Sequence, residues 1–172
     1  MVEVRLRAVR VDLQSNTPVL LLQESDGLGR TLPIFIGAPE ATAIAFALQG
    51  MDTPRPMTHD LIRDLLDALG TSVVRVVITE LKTATYFAEI VLRHGDEETP
   101  VSSRPSDAVA VAVRTGAPLF VADDLMDSEG IMLAVDEEDE DDDDEEDGSN
   151  PDELVGEFRT FLDSIRPEDF SS

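Results

Sequence analysis

Hydrophobic and charged residues alternate from the second position onward, with Val2, Val4 and Leu6 set against Glu3, Arg5 and Arg7. That is the period of a strand with one buried face. The same pattern predicts strands over Val2–Leu13, Pro18–Gln23 and Thr31–Ile36, with turns at Ser15-Asn16 and Asp26–Gly29. The period then changes. Pro39–Leu48 reads as an alanine-rich apolar helix stopped by Gly50, and a Pro54-Arg55-Pro56 connector leads to Thr58, which reads as the cap of a helix over His59–Leu69. Leu61, Ile62, Leu65, Leu66 and Leu69 fall on one apolar stripe of that helix. Strands follow again over Ser72–Leu81, Tyr86–Arg93 and Thr99–Ser102, with a hairpin turn at His94-Gly95-Asp96.

The segment Val101–Gly116 sets a polar corner before a small apolar run. Ala108–Val113 alternates alanine and valine, which alone would also suit a buried strand. Its borders decide for helix: Pro105 fits a first helical turn, Ser103 or Arg104 fits the cap, and Gly116 followed by Pro118 is a stop. Such a corner, with a guanidinium and a carboxylate beside free backbone N–H groups, could bind an anion or a metal, or be only a well-capped helix. An apolar Leu119–Val121 and a short helix over Asp123–Ser128 complete the series.

The second series follows the order of the first. Leu13, Thr17, Gly27 and Thr31 match Leu81, Thr85, Gly95 and Thr99 at an offset of 68, and Pro39 and Gly50 match Pro105 and Gly116 at 66. Asp60-Leu61 match Asp124-Leu125 at 64. The expectation is an α+β fold built from a duplicated strand-strand-strand-helix-helix unit, closed into one compact domain over residues 1–134.

Composition changes the picture at the carboxyl-terminal end. The 172 residues carry a net charge of -24, and Asp136–Asp147 is an unbroken run of 12 acids. Like charges repel and nothing apolar is available to bury, so residues 135–150 are expected to be a disordered acidic linker. Residues 151–172 form a separate amphipathic helix and tail in this reading, with Leu154, Val155, Phe158, Phe161, Leu162 and Ile165 on one face. The linker reads as solubilising, or more sharply as a polyanion mimic that shields a basic groove.

Residues before the acidic run are themselves acidic, with 19 acids against 11 bases. A protein that coats nucleic acid draws its affinity from phosphate neutralisation, so this balance argues against that role but not against an enzyme that touches few phosphates. Cysteine is absent, which removes disulfides, zinc–thiolate sites and thiol catalysis. No apolar run reaches the ~18 to 20 residues of a membrane helix, and the first residues lack a signal-peptide core, so a cytoplasmic protein with no membrane contact is expected.

Three motifs carry a resemblance. Pro33–Gly50, the connector Arg55-Pro56-Met57-Thr58-His59-Asp60-Leu61, and Arg104-Pro105-Ser106-Asp107-Ala108 with Arg114-Thr115-Gly116-Ala117-Pro118 together resemble the bifunctional nuclease domain family. The resemblance covers roughly Met1 to Leu133. It implies an α+β fold, a homodimer and nuclease activity on DNA and RNA. One departure is visible: the position of Ser102 is often aspartate in the family pattern, a difference that matters if that carboxylate helps to hold a metal.

Phosphodiester hydrolysis needs an activated water, charge relief on the phosphate and a proton for the leaving oxygen. Within the motifs, His59 is the acid or base candidate, Arg104 a phosphate clamp, and Ser106 and Asp107 complete the catalytic set. Glu40, Asp60 and Asp107 are the candidate oxygen ligands for Mg²⁺ or Mn²⁺. Each has a plainer reading. The three carboxylates sit in first helical turns where the dipole favours them, His59 and Ser106 can bond to nearby backbone, and Arg104 can brace Asp107. The alternative function is a non-catalytic dimeric regulatory or scaffold protein that binds an anion or a protein partner at this corner.

Overall fold

The computed structural model describes residues 1–133 apart from Gln14 and Asp52. The expected acidic linker and carboxyl-terminal helix lie outside the described residues. Among the described residues the fold is α+β: four helices and one mixed seven-stranded sheet of order β3-β2-β1-β7-β4-β5-β6. Two antiparallel meanders form its wings. One comprises β1 (Val2–Asp12), β2 (Thr17–Glu24) and β3 (Thr31–Phe35), and the other β4 (Thr71–Lys82), β5 (Thr85–His94) and β6 (Glu97–Ser103).

The short β7 (Leu119–Val121) joins them, antiparallel to β1 and parallel to β4. The sequence marked Leu119–Val121 as apolar but not as a strand, since three residues are too short to show a period. It has no counterpart between the first two helices, so the second series of elements departs from the first at this point.

Pleat alternation and register put Val4, Leu20, Leu22, Ile34, Val76, Ile78, Ala88, Leu119 and Val121 on one side of the sheet, in a single core cluster. Helices α1 (Ala38–Leu48), α2 (Thr58–Ala68) and α3 (Pro105–Thr115) cover that core. α3 is the central one: it packs on β4 and β5 below and on α1 and α2 at its flanks, and Ala108 to Ala112 are all buried. Small side chains suit that position, because they let two helices and a sheet approach closely. Gly116 ends α3 at φ +70°, the left-handed stop expected there. The short α4 (Asp123–Glu129) follows β7, and beyond it Ile131 pairs with Thr31 on the β3 edge.

Two local expectations need correction. The cap of α2 is Met57, one residue earlier than Thr58, and its backbone N–H donates to the Asp60 carboxylate at 3.0 Å. The α2 stripe is also not a buried face. Leu61, Leu65 and Leu69 are 50%, 53% and 66% exposed, whereas Ile62 and Leu66 line a cavity against the sheet. These four leucines and one isoleucine span two adjacent rows of the helix, and of the two it is the Ile62–Leu66 row that faces the sheet.

Candidate active site

Three helices begin at one place. α1 starts after Gly37, α2 after Met57 and α3 after Arg104, and in each the third residue is an acid: Glu40, Asp60 and Asp107. The starts of all three border a cavity of about 640 Å³. Its polar mouth is made by Glu40, His59, Arg104 and Asp107, and its walls include Ile62 and Leu66 of α2, Ile90 and Leu92 of β5 and Val101 of β6. Positive helix ends directed at one opening favour an anion there.

Asp107 is the hub of the polar group. Arg104 holds it through two parallel bonds, Nε to Oδ2 at 2.7 Å and Nη2 to Oδ1 at 3.0 Å. His59 Nε2 lies 3.1 Å from the same Oδ1. Burial pushes the Asp107 carboxyl up, but the hydrogen bonds from Arg104 and His59 outweigh it and hold the group below the usual aspartate range. An ionised carboxylate only accepts, so the nitrogen that carries a hydrogen in this contact is Nε2 of His59, and Nδ1 is the other ring nitrogen. That Nδ1 is buried and has no hydrogen-bond partner among the described residues.

Arg104 extends the chain to a third helix, its Nη1 lying 2.9 Å from Glu40 Oε1. The hydrogen bonds it donates to Asp107 raise the guanidinium pKa further, so the cation persists at any working pH. A guanidinium has five N–H donors, and these contacts engage three. The side chain is 65% exposed, so the guanidinium remains open to solvent.

Glu40, His59, Arg104 and Asp107 are thus brought together, whereas Asp60 and Ser106 are not. Asp60 turns to the other side of α2, where Arg114 Nε and the Met57 N–H engage its carboxylate. Burial opposes ionisation there, and those two bonds overcome it and hold its pKa low. Ser106 is buried within α3 and is not part of the cavity lining. Among the described residues, no three histidine, aspartate or glutamate side chains are placed to hold a metal ion.

Ser102 sits opposite Glu89 in the β6–β5 register, and its neighbour Ser103 lines the cavity. Strand alternation directs Ser102 to the other face of the sheet. A carboxylate at that position would not reach this cluster.

Two contributors were given no role at the site from the sequence. Arg114 bonds Asp60 and the carbonyls of Ala43 and Ala110, the latter two at 2.9 Å each. In the sequence it stands within the third motif as a cation in the last turn of a helix, which reads equally well as a dipole partner. Ser103 read only as a possible cap, yet its Oγ is buried in the cavity wall with no partner among the described residues.

Fold and cluster together define an α+β domain whose polar site is assembled from three helix starts above one face of a seven-stranded sheet. The chain belongs to the bifunctional nuclease domain family, whose model matches residues 20–134. A Mycobacterium tuberculosis protein named only as uncharacterized is 44% identical over 99% of this chain and 98% of its own length. "Bifunctional nuclease 2" of Arabidopsis thaliana is 33% identical over 65% of this chain and 35% of its own length. "Bifunctional nuclease 1" of the same plant is 29% identical over 66% of this chain. Among the described residues, no helix is long and apolar enough to cross a membrane.

Proposed function

We propose that this protein hydrolyses phosphodiester bonds in nucleic acid, DNA or RNA, at the Glu40–His59–Arg104–Asp107 cluster. The observation that carries the reading is the half-buried His59–Asp107 pair beside an exposed Arg104 at the mouth of a cavity. Family membership and the names of the plant relatives supply the substrate class.

In this mechanism the two unengaged N–H groups of Arg104 bind non-bridging phosphate oxygens. Asp107 orients the His59 ring, and His59 acts as general base for a water that attacks phosphorus. One phosphorus–oxygen bond forms as another breaks, and the leaving oxygen takes a proton from solvent. Mg²⁺ or Mn²⁺ held by Glu40, Asp60 and Asp107 would supply charge relief on the phosphate. Only Glu40 and Asp107 face the cavity, both against the Arg104 guanidinium, while Asp60 is engaged by Arg114. Two carboxylates already paired with a guanidinium do not fit the oxygen shell of such an ion.

The test is cleavage of labelled DNA and RNA by purified protein, with Mg²⁺, Mn²⁺ or EDTA, beside His59→Ala, Asp107→Asn and Arg104→Lys. Activity should vanish in the first two and fall about tenfold or more in the third, because lysine loses the bidentate geometry. Cleavage that survives His59→Ala and Asp107→Asn marks a contaminant and overturns the proposal.

One observation favours the alternative reading, a non-catalytic anion or partner binder: the ion-pair chain from Glu40 to His59 is complete without a ligand. The same assay separates the two. A homodimer belongs to either reading, and the exposed row Leu61, Leu65 and Leu69 is the apolar surface it would cover.

A further inference from the structure

The apolar part of the cavity has no task in the chemistry above, since a phosphate at Arg104 uses only the rim. From its size, lining and one unsatisfied hydroxyl we infer that it is a pocket for an unpaired nucleobase. The substrate class is then single-stranded nucleic acid, or a nucleotide swung out of a duplex. The inference rests on the phosphodiester reading for the position of the phosphate.

Three observations converge. At about 640 Å³ the cavity lies within the range of small-ligand sites, with room for more than a phosphate. Its walls are aliphatic on opposing elements, Ile62 and Leu66 from α2 against Leu92 and Val101 from the sheet, a lining that packs on the flat faces of a ring. Ser103 Oγ lies in the β6 wall, buried and without a partner among the described residues. A buried hydroxyl left unpaired costs free energy, and one that can both donate and accept suits the hydrogen-bonding edge of any base.

Duplex geometry works against the alternative occupant. A base inside a helix is stacked and cannot enter a pocket while its phosphate rests on Arg104, so the base must leave the stack. A single strand also presents fewer phosphates to a chain whose net charge is -24. One exposed guanidinium at the mouth suffices for one phosphate; the base supplies the remaining affinity.

The experiment compares thymidine 5′-monophosphate, deoxyribose 5-phosphate and inorganic phosphate by calorimetry on the full chain. Cleavage of one sequence in single- and double-stranded form is measured alongside. The nucleotide should bind about tenfold tighter than the sugar phosphate, the scale of one base contact. Val101→Trp, which fills the cavity from a 43% exposed position on an edge strand, should abolish that difference, with an unchanged melting temperature showing that the fold is kept. Ser103→Ala should weaken the nucleotide alone.

Equal affinity for nucleotide and sugar phosphate overturns the pocket, and this comparison needs no variant. So does equal cleavage of both strand forms together with indifference to Val101→Trp, while the nuclease reading stands. Base-dependent binding with no cleavage under any condition removes the nuclease reading and keeps the pocket.

Discussion

Arg114 near the end of α3 is bonded to Asp60 in the first turn of α2, 54 residues earlier in the chain. Its other N–H groups donate to the Ala110 carbonyl of its own helix and the Ala43 carbonyl of α1. One guanidinium, only 4% exposed, therefore touches each of the three helices whose starts carry Glu40, His59 and Asp107. Asp60 adds to this by capping Met57, the residue that sets where α2 begins and where His59 points. Asp60, which the sequence offered as a metal ligand, is thus bonded at both ends of its carboxylate within the protein, to Arg114 and to the Met57 N–H.

Arg114→Met should accordingly destabilise the fold by roughly 3 to 5 kcal/mol, because it leaves a desolvated carboxylate and two carbonyls without their donor. Asp60→Asn should cost less, since its amide oxygen still serves Met57. Urea unfolding checks both, as a lower midpoint at unchanged slope. An Arg114→Met protein as stable as the parent would show that the three helices hold their places without it.

How far the sequence could reach follows from the range of each signal. Alternation within β1 and the Pro39, Pro105 and Gly116 signals act over a few residues, so six strands and the starts and stops of α1 and α3 were legible to within a few positions. β7 was not, because its place between β1 and β4 is decided by partners more than 40 residues away and not by three apolar letters. The same holds within the site. Arg104 and Asp107 meet because a cap and the third helical residue are neighbours, which spacing reveals. That His59 joins Asp107 while the adjacent Asp60 turns to Arg114 depends on how α2 lies against α3, which no local pattern carries.

Acid should act on the fold through a small set of carboxylates. Glu24, 6% exposed, is held below the usual glutamate range by the Arg30 guanidinium against the opposing effect of burial, and Asp60 and Asp107 are likewise held low. A lowered folded-state pKa contributes stability that is complete above the unfolded value and is lost as pH falls through the folded one. With ordinary values of 4.5 for the glutamate and 3.8 for the aspartates, these groups leave stability flat between neutrality and about pH 5 and erode it below. Urea midpoints from pH 7 to 3 test this. Glu24→Gln should lower the midpoint at pH 7 and flatten the acid limb, and a limb as steep as the parent's would exclude the Glu24–Arg30 pair as its source.

Gly37 offers a way to move Glu40 without replacing it. The residue has φ −74° and ψ 153°, a conformation open to alanine, yet a Cβ there would overlap the Glu40 carboxylate. The obstructed group is the free end of a flexible side chain, so Gly37→Ala should cost less than about 1 kcal/mol while it swings Glu40 away from Arg104. Arg104 keeps its direction through the two bonds to Asp107, and what it loses is a competing anion. A unit charge about 4 Å away is worth about 1 kcal/mol even at the dielectric of water, which corresponds to about a fivefold change in binding. Both Gly37→Ala and Glu40→Gln should therefore bind inorganic phosphate about fivefold tighter than the parent in a calorimetric titration. If both bind it more weakly, Glu40 is holding the guanidinium in place and does not compete with the ligand for it.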